Sequence, residues 1–416
     1  VDSTSKGNVT DRARELRHPA LFRLCFLLLL VPGLSLGLFR PAEAQSPVPT
    51  LSAIREGWGW GVVVLPPPDG WEGRRGASIK GALRLAEREI ALTHEGIHGK
   101  EVIFLYADTR DPGEVRARLP EWRRMKAAAI LSFADDETGR FLLNACGESG
   151  PPVILSDGEN LSLRRKDGSC LPYAFALGLH WTYRAGAIAQ DAVPPRSRER
   201  VAVFFNSYDP VMARGARRTE LMVERQGGRP MLLGVAGPEG SGPEFRVGEV
   251  LQDRVRTIVS WQDQQAALAV ASVLLKWESP IRLYHGGEPD PLLLGAPGIR
   301  VADQWVSLQE SAGRKGIDDQ IWRLLGLRVP DPAQAAMGYA LGRWIIGALQ
   351  DAGGAAPRPL AEAIGRVGEF PLMGEVLAAD PVTHRPLARK VGILVVKDRR
   401  YLCERSVRVL SRACEE

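Results

Sequence analysis

The chain has 416 residues, enough for two or three ordinary domains, and its 45% apolar and 25% charged content is that of a soluble globular protein with sizeable cores. The formal net charge is only +5, and the arginine pairs Arg74-Arg75, Arg123-Arg124 and Arg217-Arg218 sit beside predicted helices. They read as solvated faces, so no nucleic-acid partner is expected.

Residues 1–44 read as an export signal. Arg12, Arg14, Arg17 and Arg23 precede an apolar run over 24–31 that Leu34, Leu36 and Leu38 extend, and Ala42-Glu43-Ala44 has the small-x-small form of a cleavage site. Cleavage after Ala44 would start the mature chain at Gln45. The alternative, a membrane anchor, is opposed by the short apolar core and by Pro32, Gly33 and Arg40 within or just after it. Cys25 lies too early for a lipobox. The signal holds six basic and four acidic residues, which leaves the remainder near +3. No later apolar stretch is long enough to span a bilayer; 188–193 and 266–275 come nearest. Cys146, Cys170, Cys403 and Cys414 remain, and an oxidising compartment allows them two disulfides in any of three pairings. The local choice is Cys146–Cys170 with Cys403–Cys414. Neither the cysteines nor the six histidines cluster at metal-ligand spacing.

From residue 59 onward, strands and helices alternate. The run 59–65 (GWGVVVL) is a predicted strand closed by Pro66-Pro67-Pro68-Asp69-Gly70. Ile79, Ala82, Leu83, Ala86 and Ile90 then mark one face of a helix that Gly96 and Gly99 end. Strands follow at 101–107, 128–133 and 152–155, separated by helices over 112–125 and 138–146. The pattern restarts at 173–177, with a helix over 182–192 and a strand over 200–205. A helix reaching Arg225 comes next, then a strand over 255–260, a helix over 264–277 and a strand over 281–284. The glycine-rich stretch 233–249 has no clear period. Helices over 332–352 and 359–367 precede a last strand, 391–396, which turns through Asp398-Arg399-Arg400 into Tyr401.

Strands apolar on both faces and alternating with amphipathic helices imply parallel sheets covered on both sides. The fold class is therefore α/β. Ligands bind such sheets at the carboxyl ends of the strands, which makes the residues just after each strand the candidates for a site.

Three stretches, in this order, resemble the type I periplasmic binding proteins, specifically the leucine/isoleucine/valine-binding branch that serves ABC importers. The first is VVVLPPPDG with GASIKGALRLAEREI and GIHGKEVIFLYADTRDPGE. The second is YAFALGLHWTYRAGAIAQDAV with RVAVFFNSYDPVMARGAR. The third runs from AMGYALGRWIIGALQDAG to KVGILVV. The likeness covers about residues 57–403. It implies two Rossmann-like lobes, each a parallel sheet flanked by helices, joined by three hinge crossings. Lobe one would be 57–177 plus 304–378, and lobe two 178–303 plus 379–416.

The resemblance also places the ligand residues. Asp135 and Asp136 stand after the third strand, where the family has small hydroxyl residues for a carboxylate; adjacent anions disfavour that use. They are read either as ligand contacts or as the N-cap of the next helix. Ser156, Gly158 and Asn160 match the second binding loop. Tyr208 matches an aromatic that covers the ligand, Trp261 to Asp263 a further contact loop, and Glu288 an acidic partner for an ammonium. Trp71 would stack on the ligand or lie on the lobe surface. Asp135, Asp136 and Glu288 together favour an amine-bearing or cationic solute.

No GxSxG, HExxH, Walker A or strand-following GxGxxG sequence is present, so an enzyme is not expected. His180 and His285 read as structural or surface residues. The expectation is a monomeric solute-binding protein in the periplasm, with a small-molecule ligand, an inner-membrane ABC permease as partner and no cofactor. The alternative is a ligand-sensing or regulatory protein acting on a signalling or cell-wall partner.

Overall fold

The computed structural model describes Ile54 and residues 58–410, except 95, 157–160, 179, 195–196, 236–242, 304–316, 367–378, 381–382 and 387. The proposed signal at 1–44, Gly158, Asn160 and Cys414 lie outside the described residues.

The first half of the chain builds a five-stranded sheet from β1 (Gly59–Leu65), β2 (Glu101–Tyr106), β3 (Ala129–Ser132), β4 (Val153–Leu155) and β5 (Ala174–Ala176), in the order β2-β1-β3-β4-β5. Every pairing is parallel. Alternation along β1 explains its unbroken apolar run. Val62 and Val64 enter one core with α1 (Arg74–His94), and Val63 and Leu65 enter another with α2 (Pro112–Arg124) and α3 (Asp136–Cys146).

The second half repeats the plan. β6 (Arg200–Asn206), β7 (Arg229–Val235), β8 (Thr257–Trp261), β9 (Arg282–His285) and β10 (Arg300–Asp303) pair in parallel in the order β7-β6-β8-β9-β10. α4 (Trp181–Ala192) and α5 (Pro210–Arg225) cover one face. α6 (Pro243–Gln252) and α7 (Gln264–Lys276) cover the other. The antiparallel hairpin β11 (Ala388–Lys397) and β12 (Arg400–Leu410) extends this sheet beyond β10. Among the described residues, the helices α8 (Ile317–Leu325), α9 (Pro332–Ala352) and α10 (Pro357–Arg366) follow β10 in sequence. They pack back on α1 and the first sheet. The chain therefore passes between the sheets three times.

Helix starts are written locally. Asp111, Asp209 and Asp331 each precede a proline, and each carboxylate accepts a hydrogen bond from a first-turn N–H. The aspartate satisfies an orphan donor, and the proline supplies a helical φ where its missing N–H costs nothing. α9 stops at Gly353, whose φ of 65° suits glycine.

Four expectations need correction or completion. The stretch 233–249 is not irregular throughout, for β7 runs to Val235 and α6 starts at Pro243. Ala379 and His384, which fall in the stretch assigned to lobe two, pack on the first sheet. Ala379 enters its core, His384 stacks on Phe175 at 4.8 Å between centroids, and the Ala176 amide donates to His384 O at 3.2 Å. Cys146 is a free thiol in this structure, buried in the core under α2 and α3 and not bonded to Cys170. Its Sγ lies 4.0 Å from the Arg123 guanidinium. Cys403 stands on β12, and its proposed partner Cys414 is outside the described residues. Among the described residues, no helix is long and apolar enough to cross a membrane.

Candidate ligand-binding site

Both sheets reverse direction of growth at their first strand: β1 lies between β2 and β3, and β6 between β7 and β8. Loops leaving neighbouring strands at such a switch point go to opposite faces of the sheet, which opens a crevice at the carboxyl edge. Among the described residues, every candidate but Trp261 follows the carboxyl end of a strand in one of these sheets.

In lobe one, Trp71 follows the proline turn after β1. Its indole N–H donates to Ala107 O at 2.6 Å, and its ring meets Tyr106 edge to face at 5.2 Å. The ring is half-buried, and it joins the loops after β1 and β2. Ser156, just past β4, is buried, and its amide donates to Ser132 O at 2.9 Å. Asp135 caps α3, accepting from the Thr138 amide at 3.0 Å, and Asp136 opens the helix. The capping alternative therefore holds for Asp135, whose engaged Oδ1 answers the helix dipole. Asparagine caps as well as aspartate. Asp135→Asn should leave the melting temperature within about 1 °C, whereas Asp135→Ala should cost about 1 kcal/mol. Thermal melts of the two variants check this, and equal losses would remove the capping role.

In lobe two, Tyr208 leaves β6 fully exposed, at 76%. Its amide donates to Asn206 Oδ1 at 3.0 Å. Asp263 caps α7, accepting from the Ala266 amide at 2.8 Å. Trp261 does not line the edge. It is the last residue of β8 rather than a loop residue, and only 1% of it is exposed. Its indole N–H donates to Thr219 Oγ1 at 2.8 Å. Strand alternation explains the correction: Trp261 shares a face with Val259, two residues back, and both enter the core under α4 and α5.

Two further groups belong to this end of lobe two. His285 ends β9, is 1% exposed, and neither ring nitrogen has a hydrogen-bond partner among the described residues. Burial, then the nearby Arg184 charge, pushes its pKa down to about 4, so the ring is neutral at pH 7. Arg184, in the first turn of α4, is the other. Its Nη2 donates to Glu288 Oε1 at 3.0 Å, with the arginine side chain 5% exposed and the glutamate 54%. A charged residue amid the small and aromatic residues of α4 (WTYRAGAIAQDA) was the available signal, because a buried arginine calls for a partner. His180 caps α4, its Nδ1 lying 2.8 Å from Thr182 Oγ1.

No protein-family model and no curated protein sequence matches the chain. Solved structures do. One, assigned as a branched-chain amino acid ABC transporter from Rhodospirillum rubrum, is 17% identical, with 83% of this chain and 99% of that one covered at a TM-score of 0.68. A leucine-binding protein from Thermotoga maritima is 14% identical, with 84% and 98% covered at a TM-score of 0.61. An ABC transporter solute-binding protein from R. palustris, solved with benzoate, is 15% identical, with 84% and 96% covered at a TM-score of 0.58. The chain has the type I periplasmic binding protein fold. The likeness spans nearly the whole length of each neighbour. Two sheets of one strand order, joined by three crossings, are the parts this periplasmic binding protein fold requires, and both are present here.

Proposed function

We propose that this chain is an exported solute-binding protein of an ABC importer. Two lobes close on a small polar solute bearing an ammonium group, an amino acid or a related amine. The observation that carries the reading is the repeated sheet order, which sets two ligand-binding edges in one chain linked by three crossings. The neighbours named for leucine and benzoate support solute binding and leave the chemistry of the solute to this chain's own residues. Glu288 supports an amine, because its carboxylate is half exposed at the carboxyl edge of lobe two. Asp136 adds negative charge at lobe one. Asp135 and Asp263 are engaged as caps and contribute to the field more than to direct contact. The protein would work as a monomer in the periplasm and deliver its solute to an inner-membrane permease.

A solute that binds only the folded, closed form raises the unfolding free energy by about 2.7 kcal/mol at a hundred times its Kd. A thermal-shift screen with amino acids, amines, amides and aromatic acids should therefore find at least one compound that raises the melting temperature by several degrees. Small-angle scattering with that compound should show a smaller radius of gyration. No shift with any solute would defeat the transport reading.

A further inference from the structure

The loop that carries Glu288 is seated on two side chains. A Cβ at Gly286 would lie 2.3 Å from the Trp261 ring, and one at Gly287 would lie 2.6 Å from His285 Nε2. Only glycine lets the backbone pass this close to both. The indole and the imidazole thus form a floor beneath Gly286-Gly287, and the chain leaves that floor at Glu288. There the carboxylate meets Arg184 through one oxygen, Oε1, at 3.0 Å. Arg184 is buried and Glu288 is half exposed, so the arginine holds the carboxylate from behind and leaves the acid's other side open to solvent. The holding helix is itself placed by the crossings. α4 follows the first passage between the sheets, and the Tyr183 hydroxyl, beside Arg184, donates to Pro386 O at the last passage.

We propose that Arg184 is a positioning residue for solute recognition: it aims Glu288 at the solute's ammonium group and sets the preference for amines over acids of the same shape. This deepens the solute-binding reading and rests on it. A free glutamate would lose side-chain freedom on binding, a loss that an anchored one has already met. The neutral His285 brings no second cation to compete with the ammonium.

The test uses the full chain and a defined panel. It contains the twenty standard amino acids, putrescine and spermidine as ammonium-bearing probes, with benzoate and 4-methylpentanoate as ammonium-free ones. Affinities are measured by calorimetry for wild type, Glu288→Gln, Arg184→Met, Arg184→Lys and the Glu288→Gln/Arg184→Met double variant, each first checked for a native circular dichroism spectrum. The expected result is that the tightest amine loses about tenfold or more in affinity in each of the Gln and Met variants. The double variant should lose little beyond the larger single effect, because the two residues act as a unit. Arg184→Lys should recover part of the loss and serves if the methionine variant does not fold. Unchanged amine binding in the Arg184 variants, or losses that simply multiply, would overturn the positioning role while solute binding stands. Wild type that answers only benzoate or 4-methylpentanoate would overturn it too. Wild type that answers no probe would take both readings down together.

Discussion

Replacing Trp261 by alanine is expected to lower the folding stability by about 3–5 kcal/mol, the range for deleting a large buried aromatic side chain. The indole is among the largest fully buried side chains of the protein, held in the core under α4 and α5. Its neighbours cannot collapse into the space it would leave. Gly215 on α5 and Gly286 after β9 press their backbones against the ring and have no side chains to move inward. The Thr219 hydroxyl, which accepts from the indole N–H and donates to Gly215 O at 2.9 Å, would keep only the second bond. Trp261→Phe fills most of the space and should cost less, about 1–2 kcal/mol, chiefly through the lost hydrogen bond and some volume. Gly215→Ala approaches the same contact from the other side. Its Cβ would lie 2.4 Å from the ring, so overpacking of about 1–3 kcal/mol is expected. Urea unfolding followed by far-ultraviolet circular dichroism measures all three without relying on the indole's own fluorescence. A wall of a ligand pocket would behave in the opposite way: solute affinity would fall and the unfolding midpoint would stay. A Trp261→Ala protein with the wild-type midpoint would therefore return this residue to the ligand.

That contrast shows where the sequence was legible. Long apolar runs bounded by turn residues located most strands, and the helix starts at Pro112 and Pro332 were read correctly because capping is a local interaction. The helix Pro332–Ala352 falls where its proline start and glycine stop place it. Strand ends were harder. Reading β8 to Ser260 leaves Trp261 in a loop, free to reach a ligand, whereas its true end at Trp261 commits the ring to the core. Side chains alternate between faces, so an error of one residue reverses a functional assignment. His285, read as structural or surface, ends β9 and is buried, which fits the structural alternative. The pairing of Arg184 with Glu288 spans 104 residues and has no local signature. Charges pair across such distances only once two elements have packed, and periodicity within either element is silent about it. The packing of His384 on the first sheet was silent for a similar reason. His384 belongs with Phe175 through a ring stack that only the tertiary fold creates.

Stability should also carry an unusual pH signature, because two buried groups pull in opposite directions. Glu87 on α1 lies against β2, an edge strand of the first sheet, and its Oε1 accepts from the Phe104 amide at 2.7 Å. Burial raises its pKa from 4.5 to about 7, against the smaller opposing effects of that hydrogen bond and of Arg84. Between these two values the folded chain holds a proton that the unfolded chain has released. The stability tied to the neutral acid is complete below pH 4.5 and is lost as the pH rises to about 7. At 1.36 kcal/mol per unit, the loss is about 3 kcal/mol. His285 works the other way. Its pKa falls from 6.5 to about 4, so its contribution is complete above pH 6.5 and is lost as the pH drops. Over the shared window these two slopes oppose each other and largely cancel. Glu87→Gln keeps an acceptor for the Phe104 amide and cannot ionise. Its stability relative to wild type should rise from about zero near pH 4.5 to about 3 kcal/mol above pH 7. Within the variant, the histidine slope should emerge as a gain of about 1.4 kcal/mol per pH unit up to pH 6.5, with His384, whose pKa burial also lowers, adding in the same sense. Urea midpoints of both proteins from pH 4.5 to 8 decide the matter. A difference that stays constant across that range would mean that Glu87 ionises as readily in the folded chain as in the unfolded one, and that the carboxylate at the sheet edge is wet.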